Sequence, residues 1–195
     1  MLDALLALAG GYLLGSIPFA YIVTQAFGLG DIRQVGSGNV GTTNVLRTGN
    51  KLATALTLIG DVGKGVIAVL IAKQYGEFPG MAAALGAFAG HCFPIWLNFK
   101  GGKGIATCLG ILAALSWPVA LLAFGTWLVA LAIGRISSLS ALVAAVVSPV
   151  YMAFLGPWPY AVGAGVLAAL IFVTHRENIA RLLRGEEPKI GKTAA

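Results

Sequence analysis

The sequence predicts an all-α integral membrane protein with seven transmembrane helices, the N-terminus outside and the C-terminus in the cytoplasm. Three observations carry the prediction. Hydrophobic residues make up 58% of the 195, and charged residues only 10%, against about 25% charge in soluble domains. Long uncharged runs recur at spacings that suit bilayer crossings. The basic residues fall almost entirely into alternate loops. So little charge could not cover the surface of a soluble domain this size.

The first run, Ala4 to Gly30, has no charged residue and supplies one span with slack. It lacks a basic leader and is too long for a cleaved signal segment, so it is expected to remain as a span. Leu52 to Ala72 is the second span, interrupted by Asp61 and Lys64. Phe78 to Phe99 is the third. The 31 uncharged residues from Gly104 to Gly134 are long for one span and short for two. Within them, Ser116-Trp117-Pro118 offers a cap, an interfacial aromatic and a first-turn proline. Divided there, the run gives two short helices. The 39 uncharged residues from Ile136 to Thr174 suit two spans, parted by Gly156 to Pro159, "GPWP".

Charge decides whether the Gly104–Gly134 run is divided. With seven spans, Arg33, Arg47, Lys51, Lys100, Lys103, Arg135, Arg176, Arg181, Arg184, Lys189 and Lys192 share one face, against Lys73 alone on the other. With six spans the split is five against seven, which is no bias. The positive-inside rule therefore selects seven. The short fourth and fifth helices need protein neighbours or local bilayer thinning.

Three polar stretches then share the cytoplasmic face. "GSGNVGTTNVLR", Gly36 to Arg47, spells G-x-G-x-x-G at Gly36, Gly38 and Gly41. A dinucleotide fold needs a strand before that motif, and none is available between two membrane helices. The anion-binding physics survives, because successive N–H groups in glycine-rich turns make nests for phosphate. Ser37, Asn39, Thr42, Thr43 and Asn44 add small polar groups, and Arg47 adds a cation. "FKGGKG" places Lys103 beside Gly101 and Gly102 at the head of a helix, where an ammonium and helix N–H groups favour the same anion. It does not fit the G-x-x-x-x-G-K-[ST] nucleotide loop. Lys100 is either a ligand or an interface anchor. In "THRENIARLLRGEE", His175 and Asn178 are three apart and share a face if the seventh helix continues past Thr174. Arg176, Arg181 and Arg184 suit solvent or lipid headgroups.

Asp61 and Lys64 lie mid-span at i,i+3, either as a structural ion pair or as substrate contacts. His91 reads as a hydrogen-bonded packing residue, and Cys92 and Cys108 as small apolar packers. The sequence offers no metal-ligand cluster and no paired carboxylates, so no metal, metal-hydrolase or glycosidase chemistry is expected. The sequence has no run of clustered basic residues with interleaved aromatics, so no nucleic-acid partner is expected. The residues fit phosphate-bearing anions. Two classes do this: an enzyme, or an organophosphate transporter using the same cations without chemistry. The lack of an internal repeat weighs against the transporter.

"GSIPFAYIV", "GSGNVGTTN", "DVGKG", "GHCFPIWLNFKGGKGIAT" and "HRENIARLLRGEE" resemble, block by block, the bacterial acyl-phosphate:glycerol-3-phosphate acyltransferases, the PlsY family. The resemblance spans most of the chain; Leu109 to Gly134 carries no motif. It implies one membrane-embedded acyltransferase domain over residues 1–195, in the bacterial cytoplasmic membrane. The enzyme would move a fatty acyl group from acyl phosphate to the 1-hydroxyl of glycerol 3-phosphate, giving lysophosphatidate and phosphate, the first acylation of phospholipid synthesis. No cofactor is implied. Implied partners are the two substrates, membrane lipid and the soluble enzyme that produces acyl phosphate. The family's motif residues fall at Ser37, Asn39, Arg47, Lys103, His175 and Asn178, with Arg135 and Ser138 of "RISSLS" as further polar contacts. The family's structural glutamate matches Glu187 or Glu186 equally. The proton acceptor is either His175 or a substrate phosphate.

Overall fold

The computed structural model describes residues 1–190; of the basic residues counted above, Lys192 lies outside them. Among the described residues the chain is helical, with no strand. It divides after Ala114 into two units.

The first unit begins with α1 (Leu2–Gly15) and α2 (Phe19–Ala26), one apolar segment broken at Ser16–Pro18. The break has a local cause, since Pro18 supplies no N–H to the helical ladder. A 3₁₀ turn (Ile32–Gln34) and α3 (Thr42–Leu46) follow. The second span is α4 (Lys51–Lys73), whose first turn is capped by Asn50 accepting from the Ala53 N–H at 2.9 Å. α5 (Glu77–Cys92) continues through a 3₁₀ turn at Ile95–Leu97. α6 (Ile105–Leu115) ends the unit.

α1 and α5 pack through interleaved glycines. Gly11 and Gly15 lie against the backbone of Ala83 and Ala87, while Gly86 and Gly90 lie against the carbonyls of Leu8 and Tyr12. A Cβ at any of the four would overlap main-chain atoms of the other helix. Such close approach is how membrane helices gain dispersion energy where lipid is as apolar as leucine. The Tyr12 hydroxyl donates to the Phe93 carbonyl at 2.8 Å and ties together the ends of the two helices. Gly65 of α4 and Gly110 of α6 similarly sit against the carbonyls of Thr107 and Val62.

The second unit holds α7 (Trp117–Gly134), α8 (Ser137–Leu155), α9 (Trp158–Thr174) and α10 (Arg176–Leu183). Pro118 occupies the first turn of α7, and Pro159 that of α9. The predicted divisions at Ser116–Pro118 and within "GPWP" are therefore present. Arg135 ends α7 in the left-handed conformation, φ 57°.

By length and apolar character five segments suit a bilayer crossing: residues 2–26, Lys51–Lys73, Glu77–Leu97, Trp117–Gly134 and Ser137–Leu155. Counting α9 and α10 as one bent segment gives a sixth. One expectation changes: the fifth predicted helix is not short, because α7 has 18 residues. The fourth is short as expected, since the 11 residues of α6 rise about 17 Å, roughly half a bilayer core.

Candidate phosphate-binding loops and a carboxylate hub

The first glycine loop is shaped by Asn44, which is 1% exposed. Its Nδ2 donates to the carbonyls of Ile32 and Val35 at 3.0 and 2.8 Å. Its Oδ1 accepts from the Ser37 N–H at 3.2 Å and from Arg47 Nη1 at 3.3 Å. Gly36 and Gly38 take left-handed backbone (φ 54° and 68°), which lets the chain turn twice within three residues. The amides of Ser37, Gly38 and Gly41 bond within the loop, to Asn44 Oδ1, the Val35 carbonyl and the Asn39 carbonyl. Those of Gly36, Asn39 and Val40 have no acceptor among the described residues. The nest offers three N–H groups, not the full run from 36 to 41. Ser37 and Arg47 are exposed and Asn39 is half-buried.

The second loop follows α5. Asn98 and Phe99 both have positive φ, 52° and 61°. For a residue as bulky as phenylalanine this conformation costs roughly 1–2 kcal/mol, and such strain gathers at functional turns. The Gly101 and Gly102 amides donate to the carbonyls of Cys92 and His91 at 3.1 and 3.0 Å. Gly102 is enclosed between the His91 ring and the Val40 carbonyl, so no side chain fits there. The two glycine loops thus meet at Gly102 and Val40. Lys103 is half-buried, just ahead of α6, and Lys100 is exposed.

In the second unit, Glu187 is the hub. Its Oε1 accepts from Ser138 Oγ at 2.6 Å and Asn178 Nδ2 at 2.5 Å, and its Oε2 from Arg181 Nε at 2.7 Å. The side chain is 7% exposed. Glu186 is exposed and pairs with Arg184, so the hub role falls to Glu187. Burial alone would raise the Glu187 carboxyl. The bonds from Ser138, Asn178 and Arg181, with the Arg181 charge, outweigh it and hold the pKa below the ordinary 4.5. Arg135 is exposed and exchanges backbone and side-chain bonds with Ile190 at 2.7 and 3.3 Å.

His175 does not continue α9. The axis bends by 64° there, so the condition under which His175 and Asn178 share one helix face is not met, and two helices meet at His175 instead. The residue is 3% exposed, with Nδ1 2.9 Å from the Ile171 carbonyl. A carbonyl only accepts, so the proton of a neutral ring sits on Nδ1, and Nε2 is the acceptor nitrogen.

Sequence reading missed two features. Asn44 reads in the sequence as one small polar group among several, yet it organises the first loop. The glycine pairs Gly11/Gly15 and Gly86/Gly90 were legible as small-x-x-x-small spacing inside apolar runs.

The fold defines an integral membrane protein that is helical throughout its described residues, with two glycine-rich polar turns. The chain belongs to the glycerol-3-phosphate acyltransferase family, whose model matches residues 5–185. The glycerol-3-phosphate acyltransferase of Cereibacter sphaeroides is 57% identical over 186 residues, 95% of this chain and 89% of that one. That of Caulobacter vibrioides is 56% identical over 191 residues, 96% and 88% of the two chains. Among solved structures, PlsY, an integral membrane glycerol 3-phosphate acyltransferase, in its glycerol 3-phosphate form is 40% identical with a TM-score of 0.91, covering 96% of both chains. Its lysophosphatidic acid form is 38% identical with a TM-score of 0.89, covering 96% and 95%.

The carboxylate hub sets a pH dependence. A carboxyl held below its ordinary pKa contributes stability that is present in full above 4.5 and is lost as pH falls through the lower folded value. Glu187→Gln should lose on the order of 1–3 kcal/mol at neutral pH, and its thermal midpoint in detergent should fall less than the parent's on acidification below 4.5. Glu186→Gln should change the midpoint little. Equal losses at the two positions would remove Glu187 from this role.

Proposed function

We propose that the protein transfers a fatty acyl group from acyl phosphate to the 1-hydroxyl of glycerol 3-phosphate. The hydroxyl oxygen bonds to the acyl carbon and the bond from that carbon to the phosphate oxygen breaks. Inorganic phosphate leaves, and lysophosphatidate forms. The hydroxyl proton passes to a substrate phosphate oxygen, whose second pKa is near 6. His175 orients rather than abstracts in this reading, its Nδ1 anchored to the Ile171 carbonyl.

Ser37, Asn39 and the open amides of the 36–41 loop hold the acyl-phosphate end, with Gly36, Gly38 and Gly41 shaping it. Lys103 and Arg47 neutralise phosphate charge, and Gly101 and Gly102 let the second loop approach. His175 and Asn178 orient glycerol 3-phosphate, with Arg135 and Ser138 as further polar contacts. The observation that supports this most is the meeting of the two glycine loops at Gly102 and Val40, with three N–H groups of the first loop unengaged. Acyl phosphate is already activated, so positioning and stabilisation of the developing oxyanion are the chemistry the protein must supply. The whole chain acts as one acyltransferase domain in the cytoplasmic membrane. It crosses seven times, with the motif loops inside, and catalyses the first acylation of phospholipid synthesis.

Purified protein should make lysophosphatidate from acyl phosphate and glycerol 3-phosphate without added metal, with acyl-CoA a poor donor. In that assay Lys103→Ala should lose about ten- to a hundredfold through phosphate binding, the worth of one charge-assisted hydrogen bond. Lys100→Ala should lose much less. Turnover abolished by chelator, or glycerol 3-phosphate crossing liposomes unacylated, would contradict the reading.

Orientation is checked separately. A cysteine at position 77 should react with an impermeant thiol reagent added outside intact cells, and one at position 48 only after lysis. External labelling at 48 would contradict the seven-crossing arrangement.

A further inference from the structure

Asp61, Lys64 and His91 are buried in the first unit, at 1%, 4% and 6% exposure, and the proposed chemistry leaves them unused. They converge on one oxygen. Lys64 Nζ is 2.9 Å from Asp61 Oδ1, and His91 Nδ1 is 3.4 Å from the same atom. Each partner then reaches a different segment. Lys64 donates to the Ile17 carbonyl at 2.9 Å, in the break between α1 and α2, and lies 5.9 Å from the centre of the Phe19 ring. The His91 ring turns its Nε2 to Gly102, on the spot where a Cβ would stand. Gly102 in turn abuts the Val40 carbonyl of the first glycine loop. A small cavity is lined by Ser16, Asp61, Lys64, His91, Val40 and Gly102.

A buried ion pair adds little net stability over apolar residues of the same volume, because desolvation offsets its Coulomb gain. Its distinctive contribution is direction: hydrogen-bonded charges fix positions that dispersion contacts leave loose. Here the fixed positions are the helix break and the floor of the second glycine loop.

We propose that Asp61, Lys64 and His91 are positioning residues for phosphate binding: Asp61 holds His91 beneath Gly102, and His91 sets where the loop presents Lys103 and meets the first glycine loop. The inference rests on the proposed acyl transfer, and its test separates the two.

Two variants and one spectrum test it. Asp61→Leu/Lys64→Met exchanges the pair for apolar side chains of similar size, which preserves folding but leaves His91 without its acceptor. His91→Ala keeps the ion pair and removes the floor of the loop. Both should stay folded in detergent, with KM for the phosphate substrates raised about tenfold or more, the scale of one hydrogen bond of positioning, and kcat per folded molecule reduced less. A purely structural network gives KM within about twofold in the folded fraction, and that result overturns the proposal. The spectrum uses unaltered protein. The chain has two histidines, so imidazole ¹⁵N resonances can be assigned with one His175→Gln sample. Adding inorganic phosphate, and separately glycerol 3-phosphate, should shift the His91 resonance saturably. An unmoved His91 resonance at ligand concentrations that saturate the protein overturns the proposal, whether or not the variants fold. Failure of the unaltered protein to make lysophosphatidate would instead overturn the acyl-transfer reading.

Discussion

The absence of Cβ atoms where α1 crosses α5 is the constraint on which the first unit depends. Lipid gives two apolar helices no hydrophobic reason to associate, so contact must come from close, extended packing. Gly11, Gly15, Gly86 and Gly90 let each backbone lie in the other's groove. The consequences run to the polar end of the pair. α5 ends at His91 and Cys92, whose carbonyls hold the Gly101 and Gly102 amides. α1 ends at Gly15, one residue before the break that Lys64 caps at Ile17. Moving the helices apart would displace the attachment points of the second glycine loop.

A second constraint is that interrupted backbone and buried charge must find partners inside the protein. The first unit meets it with Asp61, Lys64 and the Ile17 carbonyl. The second unit has Glu187 gathering Ser138, Asn178 and Arg181. In both units one carboxylate fixes several groups at once. This explains how a chain with few acidic residues can still order polar turns. Asn44 does the same for the first glycine loop without charge, using both donors and the acceptor of one amide.

Much of this was legible in the sequence. Apolar runs marked the spans, and Ser116–Pro118 and "GPWP" marked real breaks, since capping and proline effects are local. Lengths were less legible: α7 proved a full span, because nothing in its apolar sequence separates short from long. The bend at His175 has no glycine or proline beside it and could not be read. Glu186 and Glu187 are neighbours of one type, and only tertiary contacts distinguish them. Asn44 acts across 12 residues to Ile32, a reach with no periodic signature. The resemblance supplied the polar candidates, whereas the His91–Gly102 contact required coordinates.

Glycines on the α1–α5 seam are required by contact and not merely tolerated in a helix. Thermal unfolding in detergent of two single variants tests it. Gly90→Ala places a methyl against the Tyr12 carbonyl, whereas Gly63→Ala on α4 meets nothing within 4 Å. Alanine favours a helix over glycine by roughly 0.5–1 kcal/mol where space allows. Gly63→Ala should keep or raise the midpoint, and Gly90→Ala should lower it by several degrees, about 1–3 kcal/mol of overpacking. Equal midpoints for the two variants would contradict a contact requirement at the seam.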